Sequence, residues 1–161
     1  MYTIRQMNSE DISYVQHVAK TSWNHTYDGI IPLEIQTNFL ENAYSVKMME
    51  KRLQQSFLYV AETDGSIVGF ANFSPVKADG VAELGAIYLL PEFQGKGIGS
   101  ALLEKGIYNN PEVKQIHVEV EKDNQLGLNF YYAKGFIAES EYDDFFDGHT
   151  LKTVRMVKTI D

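Results

Sequence analysis

Three glycines at alternate positions, Gly95, Gly97 and Gly99, have the spacing in this chain that most directly suggests chemistry. They follow an apolar run, Ala86-Ile87-Tyr88-Leu89-Leu90, that reads as a strand. Pro91 stops it, because proline cannot donate to a ladder. Ser100-Ala101-Leu102-Leu103-Glu104-Lys105 then opens a helix. A strand, a glycine turn and a helix N-terminus together make an anion site. The first turn's N–H groups lack partners, the helix dipole is positive there, and glycine lets a phosphate approach the backbone. The spacing discriminates among phosphate loops: nothing here fits G-x-x-x-x-G-K-[ST]. A dinucleotide fingerprint fits Gly95 and Gly97, with Glu119 at a suitable distance to meet a ribose, but Ser100 stands where its third glycine belongs.

Two other stretches carry groups that could act on a ligand. Trp23-Asn24-His25-Thr26-Tyr27-Asp28-Gly29-Ile30-Ile31-Pro32 reads as a loop from its Asp-Gly and Pro signals, and Trp23, Tyr27 and Asp28 make it a candidate ligand-site wall. Further on, Glu139, Glu141, Asp143, Asp144 and Asp147 are interleaved with Tyr142, Phe145 and Phe146. Carboxylates beside aromatic faces can hold an alkylammonium by charge and cation–π contact. An ordinary solvated hairpin has the same composition. The chain has no cysteine, which removes a thiol nucleophile, a disulfide framework and a thiolate zinc site.

Gln94-x-x-Gly97-x-Gly99 resembles the Q/R-x-x-G-x-G/A pyrophosphate loop of the GNAT superfamily of N-acetyltransferases. Asn124-Gln125-Leu126-Gly127-Leu128-Asn129-Phe130-Tyr131-Tyr132-Ala133-Lys134-Gly135-Phe136 resembles that family's second signature, N-x-x-A-x-x-F-Y-x-x-x-G-F. Asn124, Phe130, Tyr131, Gly135 and Phe136 match it, and Gly127 replaces the usual alanine. Trp23-x-x-Thr26-Tyr27-x-Gly29-Ile30-x-Pro32 is similar to a pattern in the branch that includes polyamine acetyltransferases. The resemblance covers essentially the whole chain.

The resemblance implies acetyl-CoA as acetyl donor, with no metal. It gives the grip on the pyrophosphate to the backbone of Gln94, Gly95, Lys96, Gly97, Ile98, Gly99 and Ser100. Polarisation of the thioester carbonyl falls to a backbone N–H among Ile87, Tyr88 and Leu89, an oxyanion-type contact. Asn124 is placed near the pantetheine arm, and Tyr131 where the family keeps its general acid. For the general base the expectation is Glu83, acting through a water, with His117 and His149 as alternatives of suitable intrinsic pKa. With no cysteine, direct attack of an amine in a ternary complex is favoured. The expected acceptor is a small cationic, polyamine-like amine, held by Trp23, Tyr27, Asp28, Asp143 and Asp144. Two other functions stay open: a protein lysine or N-terminal acetyltransferase, and a non-catalytic acetyl-CoA-binding regulatory module.

These groups need elements to position them. Residues 2–7 alternate as a first strand. A helix capped by Asn8 or Ser9 follows, with Ile12, Val15, Ala19 and Trp23 on one face. Two further helical stretches fill residues 33–55, the first opened by Pro32. Strands at 57–62 and 66–73 meet across Asp64-Gly65, a strong hairpin signal. A strand over 81–90, the glycine loop, a helix to Tyr108, a strand over 116–120 and a helix over 124–134 come next. Gly135 ends that helix, and strands at 136–142 and 151–158 flank the acidic hairpin 143–148. The fold class is α/β: a single mixed, mostly antiparallel sheet flanked by helices, the GNAT acyl-CoA acyltransferase fold. Residues 1–161 are enough for one domain with a real core. Fourteen basic against 22 acidic residues give a net charge of −8, which repels phosphate backbones and makes nucleic acid an unsuitable partner. The opening residues lack the pattern of a signal peptide, and no apolar run approaches a membrane span. The expected setting is soluble and cytoplasmic, with a homodimer allowed.

Overall fold

The computed structural model describes residues 1–161, except for the side chain of Phe146, so that member of the aromatic-acidic stretch lies outside the description. β1 (Thr3–Gln6) leads through a 3-10 turn into α1 (Ile12–Thr26). The turn is closed by a reciprocal cap: Asn8 Oδ1 accepts the Glu10 N–H and Asp11 Oδ2 accepts the Asn8 N–H, both at 2.9 Å. Arg5 holds the Asp11 carboxylate with both terminal nitrogens, at 2.8 and 2.9 Å. α2 (Leu33–Ala43) and α3 (Val46–Gln55) follow, then β2 (Phe57–Thr63), β3 (Ser66–Phe73) and β4 (Val81–Leu89). α4 (Ile98–Tyr108), β5 (Gln115–Glu121), α5 (Gln125–Ala133), β6 (Ile137–Phe146) and β7 (His149–Thr159) complete the chain.

The strands form one sheet in the order β1-β2-β3-β4-β5-β7-β6. Every pairing is antiparallel except β4 with β5, which α4 connects as a crossover. Period-two alternation gives the sheet two apolar faces. On β2, Leu58 and Val60 face a core shared with Val15, Ala19 and Trp23 of α1, while Tyr59 and Ala61 face one shared with Leu102 and Leu103 of α4. The mixed sheet with helices on both faces is the expected fold class. No helix among the described residues is long and apolar enough to cross a membrane.

Two boundaries differ from expectation. Trp23 to Thr26 are the last turn of α1 rather than a loop, and the Tyr27 N–H still donates to the Trp23 carbonyl at 2.9 Å. Burial of Trp23 and Tyr27 carries the helix past its polar residues, and the turn comes at Gly29, whose φ of 77° is left-handed. The acidic hairpin is likewise mostly strand. β6 and β7 pair as far as Phe146 opposite His149, and the turn is Asp147-Gly148 alone, at φ 48° and 76°. That repeats the Asp64-Gly65 turn, at φ 51° and 79°.

Candidate functional site

The site forms where the two parallel strands part. β4 and β5 pair only over Val81–Glu83 against Gln115–His117, although β4 runs on to Leu89 and β5 to Glu121. Just past Glu83, Phe73 of β3 opposes Leu84 and Asn72 opposes Ala86, leaving Gly85 as an extra residue on β4. Such a bulge bends and twists its strand. The result is a cleft of about 620 Å³ between Leu84–Leu89 and Val118–Glu121, closed by the glycine loop, α5 and the end of α1. Because the Leu90 N–H donates to Val68 of β3, strand alternation turns the Ile87 and Leu89 N–H groups to the open edge facing the cleft. They lie in the segment expected to polarise a carbonyl.

At one end of the cleft stands the N-terminus of α4. Gln94, Gly95, Gly97, Gly99 and Ser100 line it. Gly97 is the N-cap at φ 84° and Gly95 sits at φ 76°. A Cβ on either would meet nothing within 4 Å, so their requirement is the left-handed backbone rather than space. No side chain caps the helix, and its first-turn N–H groups are left for an anion. Gly99 serves differently: a Cβ there would lie 3.1 Å from the Phe130 ring, so α5 packs directly on the first turn of α4. The side chains of Lys96 and Ile98 do not line the cleft. Lys96 Nζ lies 5.4 Å from the centre of the Phe93 ring and Ile98 is core, which leaves their backbone as the part facing an anion.

Asn124 and Tyr131 project into the cleft from α5. Asn124 caps that helix by accepting the Gly127 N–H at 2.9 Å. A Cβ on residue 127 would come within 2.7 Å of Asn124 Nδ2, a packing reason for glycine where the signature has alanine. Tyr131 is 8% exposed, with its ring against Phe130 and Phe136. Burial, then the Glu121 charge, pushes its phenol well above the ordinary value and keeps it protonated.

The opposite wall is aromatic. Trp23 stacks on Phe39 with centroids 4.3 Å apart and tilts onto Tyr27 at 4.7 Å, and Tyr88 completes the surface. The Tyr27 hydroxyl donates to Glu121 Oε2 at 2.5 Å. Glu119 and Asp144 also line this end. Glu119 accepts from Arg155 Nη1 at 2.9 Å and from the Tyr142 hydroxyl.

Five of the expected residues lie elsewhere. Glu83 is outside the cleft, its carboxylate 2.9 Å from Arg155 Nη2 and 4.0 Å from His117 Nδ1. Its place before the bulge, where β4 is still paired to β5, keeps it off the opening. His117, the alternative base, is held in the same cluster by Arg155, and His149 lines a separate cavity of about 340 Å³ with Asp28. Asp28 follows the end of α1 and is exposed, so it misses the wall that Trp23 and Tyr27 build. Strand alternation divides Asp143 from Asp144: Asp144 lines the cleft, whereas Asp143 pairs with Lys152 Nζ at 3.1 Å.

Two acids lining the cleft are absent from the expected acceptor site, Glu119 having been placed only as a ribose partner in the dinucleotide alternative. Glu119 and Glu121 alternate with buried Val118 and Val120, a pattern that by itself means a solvated strand face. Their nearness to Asn124 was the available signal. That they face a cleft depends on β4 having bent away.

Residues 23–136 match the acetyltransferase (GNAT) family. The chain is 29% identical over 151 residues to a spermidine N(1)-acetyltransferase of Thermoplasma acidophilum, covering 88% of this chain and 92% of that protein. It is 37% identical over 109 residues to the uncharacterized N-acetyltransferase YuaI of Bacillus subtilis, a match that takes in 66% of this chain and 62% of YuaI, less than two thirds of that relative. Among solved structures, the PaiA N-acetyltransferase of Thermoplasma acidophilum in complex with coenzyme A superposes with a TM-score of 0.85 at 27% identity, over 99% of both chains. With both signature motifs lining one strand-parted cleft, this chain belongs to the GNAT acetyltransferase family.

Proposed function

We propose that the chain transfers the acetyl group of acetyl-CoA to a primary amine of a small cationic, polyamine-like acceptor, by direct attack within a ternary complex. The observation that carries this reading is the parted β4–β5 cleft, which joins an uncapped helix N-terminus to a wall of phenols and carboxylates. The residues present fit the donor. Backbone N–H groups of Gly95 to Ser100 suit the pyrophosphate, Asn124 the amides of the pantetheine arm, and the outward N–H of Ile87 or Leu89 the thioester oxygen. Tyr131 suits protonation of the leaving sulfur, since it is protonated and lines the cleft.

For the acceptor, Glu119, Glu121 and Asp144 give the far end a negative potential beside the faces of Trp23, Tyr27 and Tyr88. Arg155 offsets part of the Glu119 charge, leaving Glu121 and Asp144 as the principal attraction for an ammonium. The similarity to a spermidine N(1)-acetyltransferase supports the polyamine class. The test is thiol release from acetyl-CoA with spermidine and with a neutral amine of similar length, at low and high salt. Spermidine is expected to be preferred, with the preference shrinking as salt screens the charges. Equal use of both amines at low salt contradicts the polycation assignment, and no thiol release with any amine contradicts the activity.

A further inference from the structure

We infer that Glu121, aligned by the Tyr27 hydroxyl, is the group that takes the proton from the attacking amine. The inference rests on the amine-acetyltransferase reading above and names a residue in its chemistry. Three features of the cleft point to it. Glu121 is the last residue of β5, at the level where β4 and β5 are farthest past their final pairing, so its carboxylate faces the opening. Tyr27, 4% exposed at the end of α1, reaches across to bond Oε2 at 2.5 Å and fixes the carboxylate's orientation. Tyr131 lines the same cleft from α5, so a proton acceptor and a proton donor flank one space. The other two acids are less suited: Glu83 is tied to Arg155 outside the cleft, and Glu119 is shared between Arg155 and Tyr142.

The surroundings also tune the group. Burial holds the Glu121 carboxyl above the ordinary carboxylate range. The Tyr27 hydrogen bond opposes that, and the charges of Asp144 and Glu119 add to it. The titratable groups facing it are Tyr27 from α1, Tyr88 from β4, Glu119 on its own strand, Tyr131 from α5 and Asp144 from β6. A carboxylate made more basic is a better match to an ammonium.

The protons balance. An arriving ammonium first loses one proton to water. As the nitrogen bonds to the acetyl carbon, its second proton passes to the Glu121 carboxylate. The C–S bond breaks and the sulfur takes the Tyr131 hydroxyl proton. Glu121 gives up its proton and Tyr131 regains one, restoring both groups.

The test is the pH dependence of kcat/KM for spermidine acetylation in wild type, Glu121→Gln, Tyr27→Phe and Glu83→Gln, with coenzyme A thermal stabilisation confirming that each variant folds. Wild type must first show amine-dependent thiol release; without it the functional reading fails, not this assignment. Glu121→Gln is expected to lose ~10²–10⁴-fold in kcat/KM and the acid limb of the profile, and Glu121→Asp to recover part of both. Tyr27→Phe removes a hydrogen bond that favours the ionised carboxylate, so its acid limb moves to higher pH. This second variant decides the matter if Glu121→Gln does not fold. Glu83→Gln keeps the limb where it was. An active wild type whose acid limb persists in Glu121→Gln, stays put in Tyr27→Phe, or disappears in Glu83→Gln overturns the assignment.

Discussion

Removing one oxygen atom from Tyr131 separates packing from chemistry. The ring is enclosed by Phe130, at 5.4 Å between centroids, and Phe136, at 5.3 Å, contacts that Tyr131→Phe preserves. Among the described residues the hydroxyl makes no side-chain hydrogen bond, so its loss leaves no protein donor or acceptor stranded. Stability should therefore change by less than roughly 1 kcal/mol, since the hydroxyl opens on the cleft, where water can meet it. Turnover is another matter. If the hydroxyl gives its proton to the departing sulfur, its removal should cost ~10²–10⁴-fold. At about 1.36 kcal/mol per decade that is ~2.7–5.4 kcal/mol of barrier, several times the largest stability effect. The assay is single-turnover transfer at saturating acetyl-CoA and acceptor, followed by thiol appearance, alongside thermal unfolding with and without coenzyme A. The expected variant melts like wild type, is stabilised by coenzyme A like wild type, and transfers slowly. Single-turnover rates within a few-fold of wild type would refute the acid role and return Tyr131 to the core. A large loss of stability would refute the account of its packing.

Other substitutions probe the remaining parts. A ligand at 100 times its Kd adds ~2.7 kcal/mol of stability, which for a chain of this size is about 5–11 °C in Tm. Gly97→Glu should fold, since nothing lies within 4 Å of a Cβ there, at ~1–2 kcal/mol of left-handed strain, yet lose most of the shift from acetyl-CoA. In Gly106→Ala a Cβ would stand 2.2 Å from the buried Phe73 ring, so overpacking of ~1–3 kcal/mol should outweigh the gain of up to ~1 kcal/mol in helix propensity and lower Tm. Asp144→Asn should raise KM for spermidine more than for a neutral amine, and Asp143→Asn, which only frees Lys152 on the other side of β6, should affect both acceptors alike.

Local signals made the donor half of the site legible. Alternating glycines after a strand mark a helix terminus that accepts an anion, and both left-handed positions, Gly95 and Gly97, fall where the spacing puts them. Even the departure at Gly127 has a local cause in the side chain of Asn124. The acceptor half depends on what strands do at a distance. Glu83 and Glu121 look alike in sequence, each an acid at an alternating strand position. Only the bulge at Gly85 separates them, leaving the first within a paired region and the second in an opening. Asp143 and Asp144 form a single acidic patch if the segment is a loop, and point to opposite sides once β6 extends through them. Trp23 and Tyr27 were found as aromatic residues near the site, but the helix that aims them ran a full turn past its expected end.

We propose acetyl transfer from acetyl-CoA directly to an amine. Its most direct test is to mix the protein with acetyl-labelled acetyl-CoA, first alone and then with spermidine, and to follow the label. Without acceptor, the label should stay on coenzyme A and none should become bound to the protein; with spermidine, it should appear as an acetyl amide of the polyamine, with one thiol released per amide formed. Label accumulating on the protein before acceptor is added would contradict direct transfer, and label remaining on coenzyme A with spermidine and every other primary amine tried would contradict the claim itself.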